Sequence, residues 1–273
     1  MDPKTELLHW ITERESVRKL KEAGEPKPWT LDPILRDYKF CNVERENDRV
    51  TKWVFDKWLL PNAESKNIAF AMCVARHFNW PDTLEVIGYP ETWDPEVVRS
   101  NLKAHREQGN KVYTGAYLVS TCGRKMDKID YSIDIVLNPL YEKIRNPDRG
   151  ETLQEYWNYL LQFDGFASFM AGQVVADLKY IYPLFASEDW WVWAPLGPGS
   201  IRGLNRYHRR PLAYNLTQAQ GLQELLLIQE MIHTETQLKL PLHNVQNCFC
   251  EFDKYVRLKY DGGKVRSKYN GKP

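Results

Sequence analysis

No stretch of the 273-residue sequence holds the ~20 consecutive apolar residues that a helix needs to cross a bilayer, which excludes a chain threaded through a membrane by helices. Charge of one sign is not in excess, since 37 Lys and Arg stand against 36 Asp and Glu, a formal +1. A protein that holds nucleic acid by bulk charge is therefore excluded, and any such contact must come from local patches. Cysteine is sparse, five in all, with no C-x-x-C pair, so neither a disulfide framework nor a zinc ribbon is expected. The G-x-x-x-x-G-K-[ST] signature of a phosphate-binding loop is absent, which excludes a kinase of that class. No internal repeat or low-complexity tract occurs. The opening residues Met1-Asp2-Pro3-Lys4-Thr5-Glu6 lack the basic-then-apolar order of an export signal. The expectation is reduced thiols in a cytoplasm.

What is present suits a folded globular chain: 43% hydrophobic residues, 27% charged, and a high aromatic content with 10 Trp and 15 Tyr. The length allows one large domain or two lobes. Apolar residues recur at helical spacing over 48–60 and 62–78, and again over 152–161, 166–182, 216–236 and 242–258. A first helix over 6–23 ends in Gly24-Glu25-Pro26-Lys27-Pro28, and reads as an arm followed by a linker. Only 112–121 (VYTGAYLVST) reads as a strand, with a buried segment between helices as the alternative. The fold class expected is mainly α. The division expected is a helix and linker over 1–30, a helical domain over 31–253 and a basic tail over 254–273.

Five features carry chemistry. The first is Leu196-Gly197-Pro198-Gly199-Ser200, where a Gly-x-Gly turn between helical segments offers backbone N–H groups to a phosphate. No acid occurs over 190–223, whereas Arg202, Arg206, Arg209 and Arg210 do, which fits contact with a nucleic-acid backbone. An ordinary turn with a solvated basic face is the other reading.

The second is the run Asn42-Val43-Glu44-Arg45-Glu46-Asn47-Asp48-Arg49. On a helix Arg45 and Arg49 share a face and could grip a phosphate or pyrophosphate, with Glu46 and Asp48 placed to take a proton from an amine. A salt-bridged surface helix is the alternative. The third is Cys248-Phe249-Cys250-Glu251-Phe252-Asp253-Lys254, where helical spacing puts Cys250, Asp253, Lys254 and Arg257 on one side. Catalysis and a structural ion pair are both open there, the latter favoured by spacing, and no metal set is expected.

The fourth is the tail, where Lys264, Arg266, Lys268 and Lys272 follow Lys254, Arg257 and Lys259, with Tyr255, Tyr260 and Tyr269 between. Bases with aromatics suit a nucleic-acid strand, and a solubilising tail equally. The fifth is Gln173 and Asp177, four apart in an apolar helix, which read a base edge or cap a neighbouring helix.

Taken together, the blocks FCNVERENDRVTKWV, FMAGQVVADLKY, LGPGSIRGLNR and CEFDKYVR resemble, in this order, the α-glutamyl/putrescinyl thymine pyrophosphorylase family of phage DNA hypermodification proteins. That family is related to helix-hairpin-helix DNA glycosylases. The helical domain of 5-hydroxymethyluracil DNA kinases shares part of the pattern. The resemblance covers 32–266 and implies a two-lobed helical glycosylase-like fold, with the hairpin at about 194–206.

It implies replacement of pyrophosphate on 5-pyrophosphomethyluracil in DNA by an amine, an amino acid such as glycine or a polyamine, with the base flipped into a pocket. Partners would be that DNA and the amine, and the setting an infected bacterial cytoplasm. Glu46, Asp48, Glu251 or Asp253 would deprotonate the amine, and Arg45, Arg49 and Lys254 would hold pyrophosphate. Asn42, Gln173 and Asp177 would line the base pocket, while Gly197, Gly199, Ser200 and the four arginines would hold the DNA. Mg²⁺ is compatible with a pyrophosphate product but not demanded. A covalent route through Cys41 or Cys250 ranks below direct displacement.

Two departures bear on the glycosylase alternative. Ile201 stands where strand-cleaving glycosylases carry lysine, and no Asp occurs over 190–252. A glycosylase acting on a modified thymine and a non-catalytic accessory domain of a hydroxymethyluracil DNA kinase are the competing functions.

Overall fold

The computed structural model describes residues 2–115, 117, 119–144 and 150–263, and among them helices form and strands do not. In chain order the α-helices are α1 (Pro3–Glu22), α2 (Pro33–Asp37), α3 (Arg49–Val54), α4 (Ile68–Phe78), α5 (Pro81–Ile87) and α6 (Pro95–Glu107), then α7 (Lys128–Asp130), α8 (Asn138–Lys143), α9 (Leu153–Leu160), α10 (Ser168–Leu178), α11 (Pro198–Tyr207), α12 (Gln218–Thr236) and α13 (Leu242–Tyr260). Two π-helical turns interrupt the series, Phe55–Leu59 and Tyr131–Leu137. No described helix is long and apolar enough to cross a membrane. The basic residues expected to act in the tail, Lys264, Arg266, Lys268 and Lys272, lie outside the described residues.

The chain divides into two compact units, one made of 1–48 with 191–273 and the other of 49–190. The first is built on α1, α12 and α13. Leu7, Trp10 and Ile11 of α1 meet Leu225, Ile228 and Ile232 of α12, and Val245, Phe249 and Phe252 of α13, in one buried cluster. The opening helix is thus core, not periphery. Local chemistry fixes its limits: Pro3 occupies the first turn and the Asp2 carboxylate accepts from the Thr5 N–H. Thr217 and Gln220 form a reciprocal capping box at the start of α12. Glu6, buried, accepts from Lys259 Nζ (2.6 Å) and the Tyr260 hydroxyl (2.8 Å), which ties α1 to the end of α13.

Helices α11 and α13 lie unusually close, and glycine is the reason. A Cβ on Gly203 would run into the Phe249 carbonyl, and one on Gly199 would sit 3.2 Å from Cys250 Sγ. These two glycines, four apart, share the face of α11 that rests on α13. A Cβ on Gly197 would meet nothing within 4 Å.

In the second unit α4 is buried along its whole length, as its nearly all-apolar sequence requires. Ala171, Gly172 and Ala176 of α10 are likewise buried. Across these two helices the Arg76 guanidinium donates to both Asp177 oxygens (2.5 and 2.6 Å), to Asn79 (3.0 Å) and to Thr51 (3.1 Å). Helix α6 is held by charge: Arg99, Lys103 and Arg106 pair with Asp134, Asp130 and Asp127.

The strand expected over 112–121 does not form among its described residues. The segment is instead stitched to the end of α4 and the first turn of α5. Thr114 N–H donates to the Phe78 carbonyl, and the Thr83 hydroxyl donates to the carbonyls of Lys111 and Val112. Its β-branched and aromatic residues suit a half-buried surface, but among the described residues no second strand is present to pair with it.

Candidate functional site

The run 40–48 and the middle of α13, some two hundred residues apart in sequence, converge in the first unit. Glu251 Oε2 accepts from the Cys41 N–H (3.1 Å) and from Lys254 Nζ (2.8 Å), and Lys254 Nζ lies 4.4 Å above the Phe40 ring. Asp48 Oδ1 accepts from the Asn42 N–H (2.8 Å). Glu46 Oε2 accepts from Asn244 Nδ2 (2.9 Å), and Asn244 Oδ1 takes the Arg45 N–H (3.5 Å). The Arg45 side chain is buried. Glu46, Asp48, Glu251, Arg45, Lys254 and Asn42 therefore belong to one cluster.

The local backbone differs from the single helix that Arg45 and Arg49 were expected to share. Arg45–Asn47 is one 3₁₀ turn, Asp48 is extended (φ −73°, ψ 137°), and a new helix starts at Arg49. Extension at Asp48 turns its carboxylate back onto the Asn42 amide. It also ends the shared face, and Arg49, exposed, falls in the second unit.

Electrostatics distinguish the acids. Burial pushes Asp48 up to about 6, against the Asn42 N–H bond and the Arg45 and Arg14 charges, which pull it down. No hydrogen bond reaches Asp48 Oδ2 among the described residues, so that oxygen can receive a proton. Burial, reinforced by the Glu251 charge, also raises the thiols. Cys250 is pushed up to about 12, and Cys41 well above the usual thiol value. Both shifts favour the thiol over the thiolate and weigh against a covalent route.

Asp253 is buried and spoken for: Arg202 Nε (2.9 Å) and Arg206 Nε (2.8 Å) donate to its two oxygens. Arg206 also reaches Asp261 (2.7 Å), and Arg210 makes a two-pronged pair with Glu224 (2.8 and 2.6 Å). The stretch that is free of acids in sequence is thus not free of them in space, because α12 and α13 supply the partners. Arg209 is exposed, at φ 55°, and makes no ion pair among the described residues.

The hairpin is also less open than its sequence suggests. Ser200 is buried, with its hydroxyl donating to the Gly197 carbonyl and accepting from the Gly197 N–H (both 3.0 Å). Leu196 N–H is bonded to Gln218 (2.9 Å). Gly199 is turned against Cys250, which leaves Gly197 as the glycine with open space.

The family model described as "5-hmdU DNA kinase, helical domain" matches residues 4–264. The chain belongs to this family. It is similar to the 5-hmdU DNA kinase of Bacillus phage SP10, 28% identical over 295 residues covering 93% of this chain and 46% of that protein. The chain spans about half the length of that relative. No solved structure matches it.

Within this helical-domain family member, two of the expected base-pocket residues stand in the second unit. Asp177, fully buried, is the bidentate partner of Arg76. Gln173, half-buried, accepts from the Tyr117 hydroxyl (2.8 Å). Among the described residues, no three His, Cys, Asp or Glu side chains are grouped so as to hold a metal.

Arg14 was missed by sequence reasoning. From α1 it donates to the carbonyls of Cys41 (3.1 Å) and Phe40 (3.4 Å) and to Asn42 Oδ1 (2.5 Å), pinning the segment that carries the cluster. Asn244 was missed as well. Arg14 stands among the charges of α1 and Asn244 in an uncharged stretch, so only a long-range contact reveals their part in the cluster.

Proposed function

We propose that the chain acts in phage thymine hypermodification, replacing the pyrophosphate of 5-pyrophosphomethyluracil in DNA with an amine. The observation that carries this reading is the meeting of Asp48 and Glu251 with Arg45 and Lys254 in one partly buried cluster. A domain that merely binds DNA has no need of a buried carboxylate with a free oxygen and a pKa near working pH.

In this reading Asp48 Oδ2 takes a proton from the incoming ammonium. The nitrogen lone pair then forms the C–N bond to the 5-methylene carbon. The C–O bond to pyrophosphate breaks, and its electron pair leaves on the pyrophosphate oxygen, where Arg45 and Lys254 offset the growing charge. Asn42 and Arg14 hold the loop in register. DNA approaches α11 at Gly197, Arg202 and Arg209, and the reacting base is flipped to reach the cluster. Asp253 acts indirectly, by holding Arg202 and Arg206 in place. The reading puts the protein with phage DNA inside the infected bacterium.

The test is mass spectrometry of nucleosides after incubating DNA that contains 5-pyrophosphomethyluracil with the protein, amino acids and polyamines. A nucleoside carrying one amine on its 5-methylene carbon supports the transferase and names its amine. Release of free base supports a glycosylase instead.

A second reading has its own support. The matching family is named for the helical domain of a kinase, and the chain spans 46% of its relative. It would then be a non-catalytic accessory domain of a hydroxymethyluracil DNA kinase. Unchanged nucleosides, together with phosphorylation of 5-hydroxymethyluracil DNA that rises when this chain is added to a kinase, would favour it.

A further inference from the structure

The second unit carries a surface that the cluster chemistry does not use. Arg49 and Lys111, both exposed, converge on one half-buried indole, with the Arg49 guanidinium 5.8 Å and Lys111 Nζ 5.7 Å from the Trp80 ring centre. Nearby, Lys128 Nζ lies 4.3 Å above the Tyr113 ring. Tyr113 stacks on Phe78 at 5.3 Å, and the Thr114 N–H bond to the Phe78 carbonyl joins the two segments. The Thr83 bonds to Lys111 and Val112 tie the first turn of α5, which follows Trp80, to the same segment. Trp80 and Tyr113, both half-buried, thus carry three cations between them, with the buried Phe78 stacked on Tyr113.

None of the three cations makes an ion pair with an acid among the described residues, although acids are at hand. Asp127 adjoins Lys128 but pairs with Arg106, and Asp130 and Asp134 are taken by Arg99 and Lys103. On α6 the unit neutralises every cation of its ladder. On Trp80 and Tyr113 it leaves three bare. Like charges gathered on rings and left unneutralised are stable beside a polyanion.

We propose that Arg49, Lys111 and Lys128, carried on Trp80 and Tyr113, form a second nucleic-acid contact that holds the backbone of an unpaired DNA strand. The inference rests on the proposed function only in taking DNA as the macromolecule. Cations alternating with aromatic side chains are the composition that tracks a single strand, where phosphates are matched by charge and exposed bases by rings. A duplex offers its phosphates but hides its base faces, so the aromatic part of the surface favours an unpaired strand.

The test is the salt dependence of binding to a single-stranded and a duplex oligonucleotide containing 5-hydroxymethyluracil. The wild type is compared with the triple variant Arg49→Gln/Lys111→Gln/Lys128→Gln and with the charge-keeping variant Arg49→Lys/Lys111→Arg/Lys128→Arg. For the single strand, three lost phosphate contacts reduce the slope of log K against log salt by about 2. The charge-keeping variant restores the slope, which a merely misfolded surface would not do. Far-UV circular dichroism and the urea midpoint of each variant confirm that it is folded.

An unchanged single-strand slope overturns the proposal, and is the result expected if the surface serves an acidic protein. A drop confined to the duplex overturns it too. Nucleoside conversion by the wild type is read separately. Failure to convert with an intact slope effect sinks the transferase and leaves the surface. Conversion with no slope effect does the reverse.

Discussion

In the proposed reaction Asp48 is the proton acceptor, and its environment makes a signed prediction. A carboxyl raised to about 6 has to lose its proton before it can accept one from an ammonium. Turnover should therefore rise through pH 6 and level off above it. Asp48→Asn should abolish the rise and lower kcat by about 10²–10⁴. The same shift acts on stability. The folded form holds the Asp48 proton more tightly than the unfolded chain, so its contribution to stability falls as pH rises from the ordinary 3.8 to about 6. Urea midpoints measured across that range should flatten in Asp48→Asn.

Asp177 makes the opposite kind of case. With both oxygens on Arg76 and neither group exposed, its removal strands a buried guanidinium. Asp177→Ala should cost about 3–5 kcal/mol, read as a lower urea midpoint. The sequence shows why Asp48 and Glu251 draw attention, since both sit in charged runs. It does not show Arg14, whose partners lie 26–28 residues away on a segment held by tertiary packing.

At the scale of the element, the α11–α13 contact separates glycines that look alike in the motif. Gly203 faces a backbone carbonyl that cannot move aside, whereas a Cβ on Gly197 meets nothing. Gly203→Ala should destabilise the first unit by about 1–3 kcal/mol, while Gly197→Ala should leave the urea midpoint unlowered. Equal losses at the two positions would contradict the packing described.

The helices were legible because apolar period and capping residues agree, as at Thr217 and Gln220 for α12. The segment 112–121 was misread because strand composition is a statement about surfaces, while pairing is decided by what lies alongside. The acids that face the basic side of α11 were not legible for a related reason. Its acids arrive from Glu224, Asp253 and Asp261, beyond any local window.

At the scale of the whole molecule, a net charge of +1 conceals a separation of roles. The first unit keeps the acids and bases of the cluster in partly buried pairs, and the second keeps Arg49, Lys111 and Lys128 on Trp80 and Tyr113 without an acid partner among the described residues. Family membership over 4–264 takes in both units.

The most direct measurement counts products together. Duplex and single-stranded DNA bearing 5-pyrophosphomethyluracil are incubated with amine and with wild type or Asp48→Asn. Free pyrophosphate and the amine-bearing nucleoside are quantified in the same sample. The account predicts one pyrophosphate released per new nucleoside with the wild type, and neither with Asp48→Asn. Pyrophosphate-bearing nucleosides left intact by the wild type, or equal conversion by Asp48→Asn, would contradict it.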